Sequence, residues 1–351
     1  MLTLGIESSC DETAAAVVHG DRDVRSSIVA TQHELHVPYA GVVPEIASRR
    51  HLECITPVID EALRTAGVTF DDLNAIAVGH APGLIGSLLI GVSAAKALAW
   101  SLDVPLMGVH HLLAHLHAPA LDNEPIQYPA IGLLASGGHT TLTLQHEPMH
   151  ATVLGQTIDD AVGEAFDKAG TLLGAGYPGG PAIERLAQRG REDAIRLPIA
   201  RIRGDSLDFS FAGLKTALLY AARGTPVGRG REARFPRDVD SLSDDMRADL
   251  AASFQWTAVQ SLIRQVDAAM EQHEAQSLIG GGGVLCNTRL RQELEQLAQR
   301  HQVDLRIAAP KYCVDNAAMI AGLGHIACAQ GHHSDLTLQA RARLNLDAQG
   351  C

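Results

Sequence analysis

The chain opens with two apolar runs on either side of a polar turn. LTLGIE at 2–7 precedes SSCDE at 8–12, and TAAAVV follows at 13–18. Short apolar runs bounded by small polar residues are typical of a β-hairpin. The same pattern recurs at 130–145, where AIGLLA, SGGH and TTLTLQ stand in the same order. The sequence therefore predicts two hairpins of one design.

The two hairpins align at a constant offset of 127 residues. The offset pairs three residues with partners of the same type: Gly5 with Gly132, Ser9 with Ser136, and Thr13 with Thr140. Each hairpin is followed by a further predicted strand, at 24–30 and at 151–154, and then by helical segments. A supersecondary unit that recurs in the same context indicates a duplicated α/β domain.

The remaining pattern alternates between helices and strands. In the first half, the predicted helices are 45–66, 84–100 and 111–118, and the predicted strands are 74–79 and 106–109. In the second half, helices are predicted at 159–173, 244–272 and 287–301, strands at 277–279 and 305–308, and a turn at 177–181. Asp315 is expected to cap a last helix that runs through Ala329. Residues 223–245 are first basic and then acidic, which predicts a mobile loop.

Composition is consistent with a two-domain α/β enzyme. The chain has 351 residues, 46% of them hydrophobic but only 4% aromatic, and it contains 33 glycines. Its length suits two domains with cores of aliphatic side chains and tight glycine loops. The formal net charge of −12 argues against a nonspecific nucleic-acid binder, whose affinity comes from neutralising phosphates. A local basic patch is still compatible with that charge.

Cysteine usage and hydropathy indicate an intracellular chain. None of the six cysteines forms a CxxC pair, and the N-terminus lacks the basic region of a signal peptide. The most apolar stretch, 84–100, contains Ser87, Ser93 and Lys96, and it is shorter than the ~20 apolar residues of a membrane span. We expect a soluble cytoplasmic protein with reduced thiols and no membrane partner.

Backbone groups are the first candidates for ligand binding. The two hairpin turns expose N–H groups that bind anions, and facing each other they would clamp a phosphate chain. Asp11 in the first turn would repel phosphate unless it acts through a metal or a proton. Gly280–Gly283, between a strand and a helix, allows close approach of a flat ligand or a phosphate, although it is not a GxGxxG motif. Ordinary turns and a flexible loop are the simpler interpretations.

Histidines are the second candidates. His111 and His115 are four residues apart on a predicted helix, so they share a face and can chelate one metal. The segment lacks the glutamate of HExxH, which argues against a metalloprotease, and a metal site needs a third ligand from elsewhere. Structural histidines are the alternative. Taken alone, Asp167 and Asp315 are most simply helix caps.

Together these segments resemble the bacterial tRNA adenosine threonylcarbamoyltransferase (TsaD) family, relatives of the catalytic subunit of the KEOPS complex. The resemblance covers nearly the whole chain, from Gly5 to about Ala329. It rests on nine ordered motifs: GIESSCDET at 5–13, YAGVVPEIASRRH at 39–51, HHLLAH at 110–115, LLASGGHT at 133–140, GEAFDKAG at 163–170, YPGGP at 177–181, LDFSFAGLKT at 207–216, GGGVLCN at 281–287 and CVDNAAMIA at 313–321.

The resemblance implies an α/β actin-like ATPase (ASKHA) fold with two duplicated lobes and a ligand cleft between them. We expect the lobes at 1–125 and 126–330, followed by a tail at 331–351. It implies transfer of threonylcarbamoyl from threonylcarbamoyl-adenylate to the exocyclic amine of a tRNA adenosine beside the anticodon. It also implies a TsaB-like paralogue and a TsaE-like ATPase as partners.

The resemblance also assigns site residues. One divalent metal, usually iron, with zinc or magnesium as alternatives, would be held by His111, His115 and Asp315. Asp11 falls on an acidic position that the family needs for activity. The residues implied to contact the adenylate are Leu134, Ala135, Ser136, Gly137, Gly138, Asp167, Gly180 and Asn287. Arg49, Arg50 and the basic part of 223–245 are candidate tRNA contacts, with a solvated surface as the alternative.

The chain departs from the family pattern at four places. They are His80-Ala81 in the turn before the first buried helix, Ala114 before the second histidine, Ala212 in FSFAGLK, and Leu285-Cys286 before Asn287. None removes an implied ligand. Two other functions are open: a small-molecule kinase of the same fold, which would need no histidine pair, and a scaffold paralogue, which would be expected to have lost that pair and Asp315.

Overall fold

Two five-stranded mixed sheets form the frame of the molecule. The computed structural model describes residues 1–39, 41–200, 202, 204–228 and 234–347. The strand order is β3-β2-β1-β4-β5 in the first sheet and β10-β9-β6-β7-β8 in the second. Read from the hairpin side, the two orders are equivalent, so the sheets are two copies of one topology.

The first sheet and its helices come from the N-terminal third of the chain. The elements are β1 (Leu2–Glu7), β2 (Glu12–His19), β3 (Asp23–Thr31), α1 (His33–His36), α2 (Pro44–Ala66), β4 (Ala75–Ala81), α3 (Ile85–Leu102), β5 (Leu106–His110) and α4 (His111–His117). Helix α2 begins with Pro44 in its first turn and ends at Gly67, whose φ of 69° suits glycine.

The second sheet comes from the following two hundred residues or so. Its elements are β6 (Ala130–Ala135), β7 (Thr140–Glu147), β8 (His150–Gln156), α5 (Val162–Leu172), α6 (Gly179–Ala187), α7 (Ala212–Arg223), α8 (Asp244–Gln272), β9 (Ser277–Gly281), α9 (Thr288–His301), β10 (Asp304–Ile307), α10 (Pro310–Cys313) and α11 (Ala317–Ala329). Ser243 caps α8 by accepting a hydrogen bond from the Met246 backbone N–H.

The register of the two hairpins reproduces the offset found in the sequence. Thr3 pairs with Val18 in the first hairpin, and Ala130 pairs with Gln145 in the second. Both members of the second pair lie 127 residues after those of the first. The parallel neighbour is also equivalent, because β4 lies beside β1 and β9 lies beside β6. The predicted duplication is confirmed.

Helices connect the two halves. Helix α11 packs on β1, β2 and β4 of the first sheet, and α4 packs on β6 and β9 of the second. Gly5 permits this packing, since a Cβ at that position would clash with the Ala317 carbonyl oxygen of α11. The tail also joins both halves: the Ser334 N–H donates to the Leu106 carbonyl, and Asp347 accepts from the Val153 N–H.

Helix α3 is long and apolar enough, by length and composition, to cross a membrane. In this fold one side of the helix is buried, with Leu88, Val92 and Ala95. Val92 and Ala95 belong to the hydrophobic core of the first sheet. The opposite side is exposed and still apolar, with Ile85 48%, Leu89 50% and Trp100 75% exposed. The helix is therefore a core helix of the first half with one open face.

Three local predictions need correction or completion. Asp315 does not cap the last helix: Asn316 accepts from the Met319 N–H, which leaves the Asp315 carboxylate free to face other groups. The turn predicted at 177–181 is the start of α6. Helix α7 lies where the pattern predicted no element. In the predicted loop at 223–245, Arg229 and Arg231 lie outside the described residues.

Candidate active site between the two hairpin turns

The two hairpin turns face one cavity of about 910 Å³. Cys10, Asp11 and Glu12 of the first turn line it, and Ser136–His139 of the second turn line it from the other half. The start of α4 and the loop before α11 complete the wall with His111 and Asp315. The cleft thus brings together residues that lie up to three hundred positions apart in the sequence.

Two histidines and one carboxylate converge at the floor of the cleft. Strand β5 ends at His110, and α4 starts immediately, so His111 and His115 lie one turn apart on its buried face. Asp315 Oδ1 lies 3.0 Å from His115 Nε2 and 3.5 Å from His111 Nε2. The three ligand atoms lie within 4.8 Å of one another. The group predicted from His111, His115 and Asp315 is therefore assembled by the fold.

A buried glutamate supports His111 from behind. Glu7, fully buried at the end of β1, places Oε2 3.0 Å from His111 Nδ1. Its other oxygen accepts from the Ser9 N–H at 2.5 Å. A carboxylate on the outer nitrogen fixes the orientation of an imidazole and raises its basicity. His111 Nε2 is thereby directed toward Asp315.

The electrostatics of this group follow from burial and from the pairing of charges. Burial lowers the pKa of His111, but Glu7 and Asp315 outweigh it and hold that pKa well above its ordinary value. Burial lowers the pKa of His115. Burial raises the pKa of Asp315, yet the two histidines overcome this and hold it well below its ordinary value. Asp315 is thus an anion at neutral pH, as a metal ligand must be.

The donor set fits a divalent transition metal. Two imidazole nitrogens and one carboxylate oxygen suit iron or zinc, whereas magnesium prefers oxygen ligands. Histidine Nε2 atoms that both face a carboxylate, with one ring held from behind by Glu7, are the arrangement expected of such a site. The open side of the group faces the cavity.

The first turn is acidic. Burial and then the charges of Asp315 and Asp11 raise the pKa of Glu12 to about 9. Glu12 is therefore protonated at neutral pH in the metal-free protein, and its side chain hydrogen-bonds to Asp11. Burial likewise raises the pKa of Cys10. Asp11 itself lies on the cavity wall.

The second turn carries no ionised side chain. The Ser136 N–H donates to the His139 carbonyl at 2.8 Å, and Ser136 Oγ accepts from the His139 N–H at 3.1 Å, which closes the turn. Burial lowers the pKa of His139 to about 4, so this ring is neutral at pH 7. Among the described residues other than the chain neighbours, no atom lies within 4 Å of a Cβ built on Gly137 or Gly138. The turn presents backbone to open space.

The other residues implied to bind the adenylate lie at different depths. Asp167, in the middle of α5, lines the cavity and accepts from the Gly179 N–H at 2.7 Å. Gly180 follows at the start of α6 and faces open space. Leu134 and Ala135 are buried in β6 and do not line the cavity wall.

Asn287 is buried at the start of α9. Its side chain caps α9 by accepting from the Leu290 N–H, and Nδ2 donates to Gln255. Gln255 lines a second cavity of about 700 Å³, together with Thr288, which follows Asn287 in the sequence, and Glu184 of α6. The implied contact residues thus run from the cleft, past the start of α6, to this second cavity.

Comparison with known proteins identifies the family. A family model described as tRNA N6-adenosine threonylcarbamoyltransferase (TsaD) matches residues 23–322. The chain belongs to this family. The proteins of that name from Trichlorobacter lovleyi and Symbiobacterium thermophilum are 47% and 48% identical over 348 and 350 residues, covering 99% of this chain and 97% and 98% of theirs. The chain is accordingly a transferase, and the sequence-based assignment to the family is confirmed.

The architecture is that of the actin-like ATPases. A structure of full-length HypF with phosphate and nucleotide superposes with a TM-score of 0.59 at 13% identity, over 95% of this chain and 47% of that one. At such low identity the likeness concerns the fold alone. The predicted two-lobed ASKHA fold is confirmed.

Sequence reasoning missed two acidic residues of this site. Glu7 had no assigned role beyond its place in the motif GIESSCDET. A carboxylate without exposed surface at the end of a buried strand nevertheless needs a partner such as His111. Glu12 begins β2, and only its placement in the cleft reveals its raised pKa. In both cases the signal was a charge within an otherwise buried run.

Proposed function

We propose that this enzyme transfers threonylcarbamoyl from threonylcarbamoyl-adenylate to N6 of the adenosine beside the anticodon, in tRNAs that read codons beginning with A. The observation that carries the proposal is the cleft itself. In a chain of this transferase family, it sets a His-His-Asp group, an acidic turn and a neutral backbone turn around one cavity.

The reaction is acyl transfer from a mixed anhydride. The adenosine amine attacks the carbamoyl carbon, negative charge develops on the carbonyl oxygen, and AMP leaves with the bonding electron pair. Because AMP is a good leaving group, the enzyme has mainly to position the partners and stabilise charge. The backbone N–H groups of Gly137 and Gly138 are suited to this, since no anionic side chain stands in that turn, whereas the Ser136 N–H is already bonded to the His139 carbonyl.

His111, His115 and Asp315 would hold one divalent ion, for which we propose iron, with zinc as the alternative that the ligands also suit. When bound, the ion supplies Lewis-acid polarisation and a counter-charge for the donor. Glu7 keeps His111 oriented for this task. Because His111 and Asp315 line the same cavity as the second turn, the donor's acyl phosphate is expected between them and that turn.

Asp11 is our candidate for the proton acceptor. An exocyclic adenine amine is a poor nucleophile, so removal of its proton late in the reaction assists transfer. Asp11 lies on the cavity wall opposite the Ser136–Gly138 turn. Protonated Glu12 hydrogen-bonds to it without adding a second negative charge, which limits repulsion of the donor phosphate.

The adenylate is proposed to extend from the cleft toward the second cavity. Ser136–Gly138 would contact its acyl phosphate, Asp167 and Gly180 its middle, and Asn287 its far end. Leu134 and Ala135 would act through the backbone of β6, because their side chains are buried. The placement of Ser136–Gly138 and Asp167 on one cavity wall, and the bond of Asn287 to Gln255 at the second cavity, support the proposal.

Partners and setting remain part of the proposal. The exposed apolar row of α3, with Leu52 of α2, 66% exposed, is a surface suited to a TsaB-like paralogue. A TsaE-like ATPase would act on that assembly in the cytoplasm. Arg49, Arg50 and the 223–245 segment are proposed to guide tRNA. We divide the chain into lobes 1–125 and 126–330 and a tail 331–351, since each lobe contains one sheet.

Reconstitution tests the proposal. Purified chain with its metal, the two partners, unmodified tRNA and threonylcarbamoyl-adenylate should yield N6-threonylcarbamoyladenosine on nucleoside analysis. Replacing the adenylate by ATP and a small sugar tests the kinase alternative, and it should give no phosphorylated sugar. Modified nucleoside that forms equally well without this chain, or sugar phosphorylation that depends on it, would overturn the proposal.

A further inference from the structure

Two free cysteines lie together beside the active-site loops. Cys286 ends the short turn that follows the glycine loop after β9, and Cys313 ends α10. Cys286 is exposed, whereas Cys313 is fully buried. The turn and α10 pack against each other. Cys286 directly precedes Asn287, and Cys313 lies two residues before Asp315, so the pair joins the two segments that carry predicted site residues.

Both thiols lie against the segment that leads from β10 into α10. The thiol of Cys286 lies 3.8 Å from the Pro310 carbonyl at the start of α10. The thiol of Cys313 donates to the Ala308 carbonyl at 3.2 Å, and Arg291 Nη2 lies 3.3 Å from the same sulfur. Because the turn and α10 pack against each other, a bond between the two sulfurs calls for movement at the ends of two short, adjacent segments.

Arg291 links both segments to this pair. Its Nε donates to the Leu285 carbonyl at 2.5 Å, on the segment of Cys286. Its Nη2 donates to the Ala308 carbonyl at 2.7 Å, on the segment of Cys313. One guanidinium thus fixes the spacing of the two backbones and places positive charge beside both sulfurs.

The local chemistry makes Cys286 the reactive member. The hydrogen bond from Cys313, assisted by Arg291, lowers the pKa of Cys286 to about 7 despite partial burial. A thiolate that is exposed and beside a cation reacts with oxidants far faster than a buried thiol. Burial raises the pKa of Cys10 and of Cys328, and Cys54 is buried in the first core.

We propose that Cys286 and Cys313 form a reversible disulfide when the protein meets a hydroperoxide. The Cys286 thiolate attacks one peroxide oxygen, the O–O bond breaks, and the other oxygen leaves as water or alcohol, which leaves a sulfenic acid. The Cys313 thiol then displaces the hydroxyl as water and forms the S–S bond. The two sulfurs lose two electrons in total, and the peroxide gains them. A dithiol reductant reverses the reaction.

The disulfide would shift Asn287 and Asp315 together, because each of these residues follows one of the two cysteines within two positions. Oxidation is therefore expected to weaken adenylate binding and transfer. This effect rests on the proposed function, whereas formation of the disulfide does not.

Oxidation of the full-length chain tests the site. After hydrogen peroxide treatment and alkylation, peptide mass spectrometry should find a cross-linked Cys286–Cys313 pair, lighter by two hydrogen atoms, which dithiothreitol reverses. Cys286→Ser should abolish the link, and the matched control Cys328→Ser should keep it. Cys286 oxidised to sulfinic acid while Cys313 remains alkylatable, or a link to another cysteine, would overturn the proposal.

Activity provides the second readout. Transfer by the oxidised protein should fall about tenfold or more, the scale of a displaced site group, and return on reduction. Cys286→Ser should resist the peroxide. A disulfide that forms while transfer is unchanged would refute its regulatory effect alone, and absence of transfer in the reduced protein would instead refute the proposed function.

Discussion

The two hairpin turns have the same backbone plan but opposite chemistry. The first turn, SSCDE, contains Asp11 and ends with Glu12 at the start of its second strand, and it is preceded by Glu7 at the end of its first. The second turn, SGGH, has no acid at any equivalent position, and its two glycines face open space. The two halves of the duplicated fold therefore have hairpins with the same backbone arrangement. We infer that one became acidic, for metal support and proton transfer, and the other neutral, for binding an anionic donor.

The largest expected effect comes from breaking the metal group below both turns. His111→Ala or Asp315→Ala should reduce bound metal from about one per chain to near none, with loss of transfer, because two ligands rarely retain an ion well. Metal analysis of the purified variants measures this.

His117→Ala is the matched control. His117 lies on the same short helix and is also buried, but its Nε2 bonds to the Asp21 carbonyl and not to Asp315. It should retain the metal. Full metal occupancy in both His111→Ala and Asp315→Ala would show that these residues do not hold the metal.

Next in size is the loss of the acid in the first turn. Asp11→Asn keeps the size of the side chain and removes its basicity, so transfer in the bound complex should slow by roughly 10²–10⁴-fold, as for a lost acid–base group. Adenylate affinity and thermal stability should stay close to those of the parent. Rapid-quench single-turnover assays and calorimetric titration give the two quantities.

A change in the second turn should weaken adenylate binding and leave the rate of bound-state transfer nearly unchanged. Gly137→Ala adds a methyl group that meets no atom within 4 Å in the part of the chain that the structure describes, chain neighbours aside, so the fold should be unaffected while the donor loses space. We expect adenylate affinity to fall roughly ten- to a hundredfold, the scale of a displaced substrate group. Gly213→Ala, equally open but in α7, should bind normally. Equal affinities in the two variants would mean that the SGGH turn does not hold the donor.

The smallest effect concerns pH and Glu12. Its folded pKa of about 9 exceeds the ordinary 4.5, so its stabilising contribution is complete below pH 4.5 and is lost as pH rises through 9. Glu12→Gln should therefore raise the Tm of chelator-treated protein by a few degrees at pH 8.5 and change it little at pH 4.5. A Tm difference that does not depend on pH would contradict the burial of this acid.

Local patterns predicted the strands and helices, because the spacing of apolar residues and the repeated hairpin can be read along the chain. The hairpins, the long helix Asp244–Gln272 and the His111–His115 spacing could all be read directly. The meeting of His115 with Asp315 depends on tertiary structure, two hundred residues apart, and the residues alone indicated a helix cap. Family resemblance supplied that ligand. The support of His111 by Glu7 required the fold, since the two residues lie 104 positions apart in the sequence.

The most direct test of the division between the two turns is one experiment on three proteins. Saturating and limiting threonylcarbamoyl-adenylate are mixed with unmodified tRNA under single-turnover conditions, using the parent chain, Asp11→Asn and Gly137→Ala. We predict that Asp11→Asn lowers the maximal rate at unchanged half-saturation, and that Gly137→Ala raises half-saturation at a nearly unchanged maximal rate. If Asp11→Asn weakens binding while bound-state transfer stays normal, or if both variants change the same parameter, the two turns do not divide the chemistry as proposed.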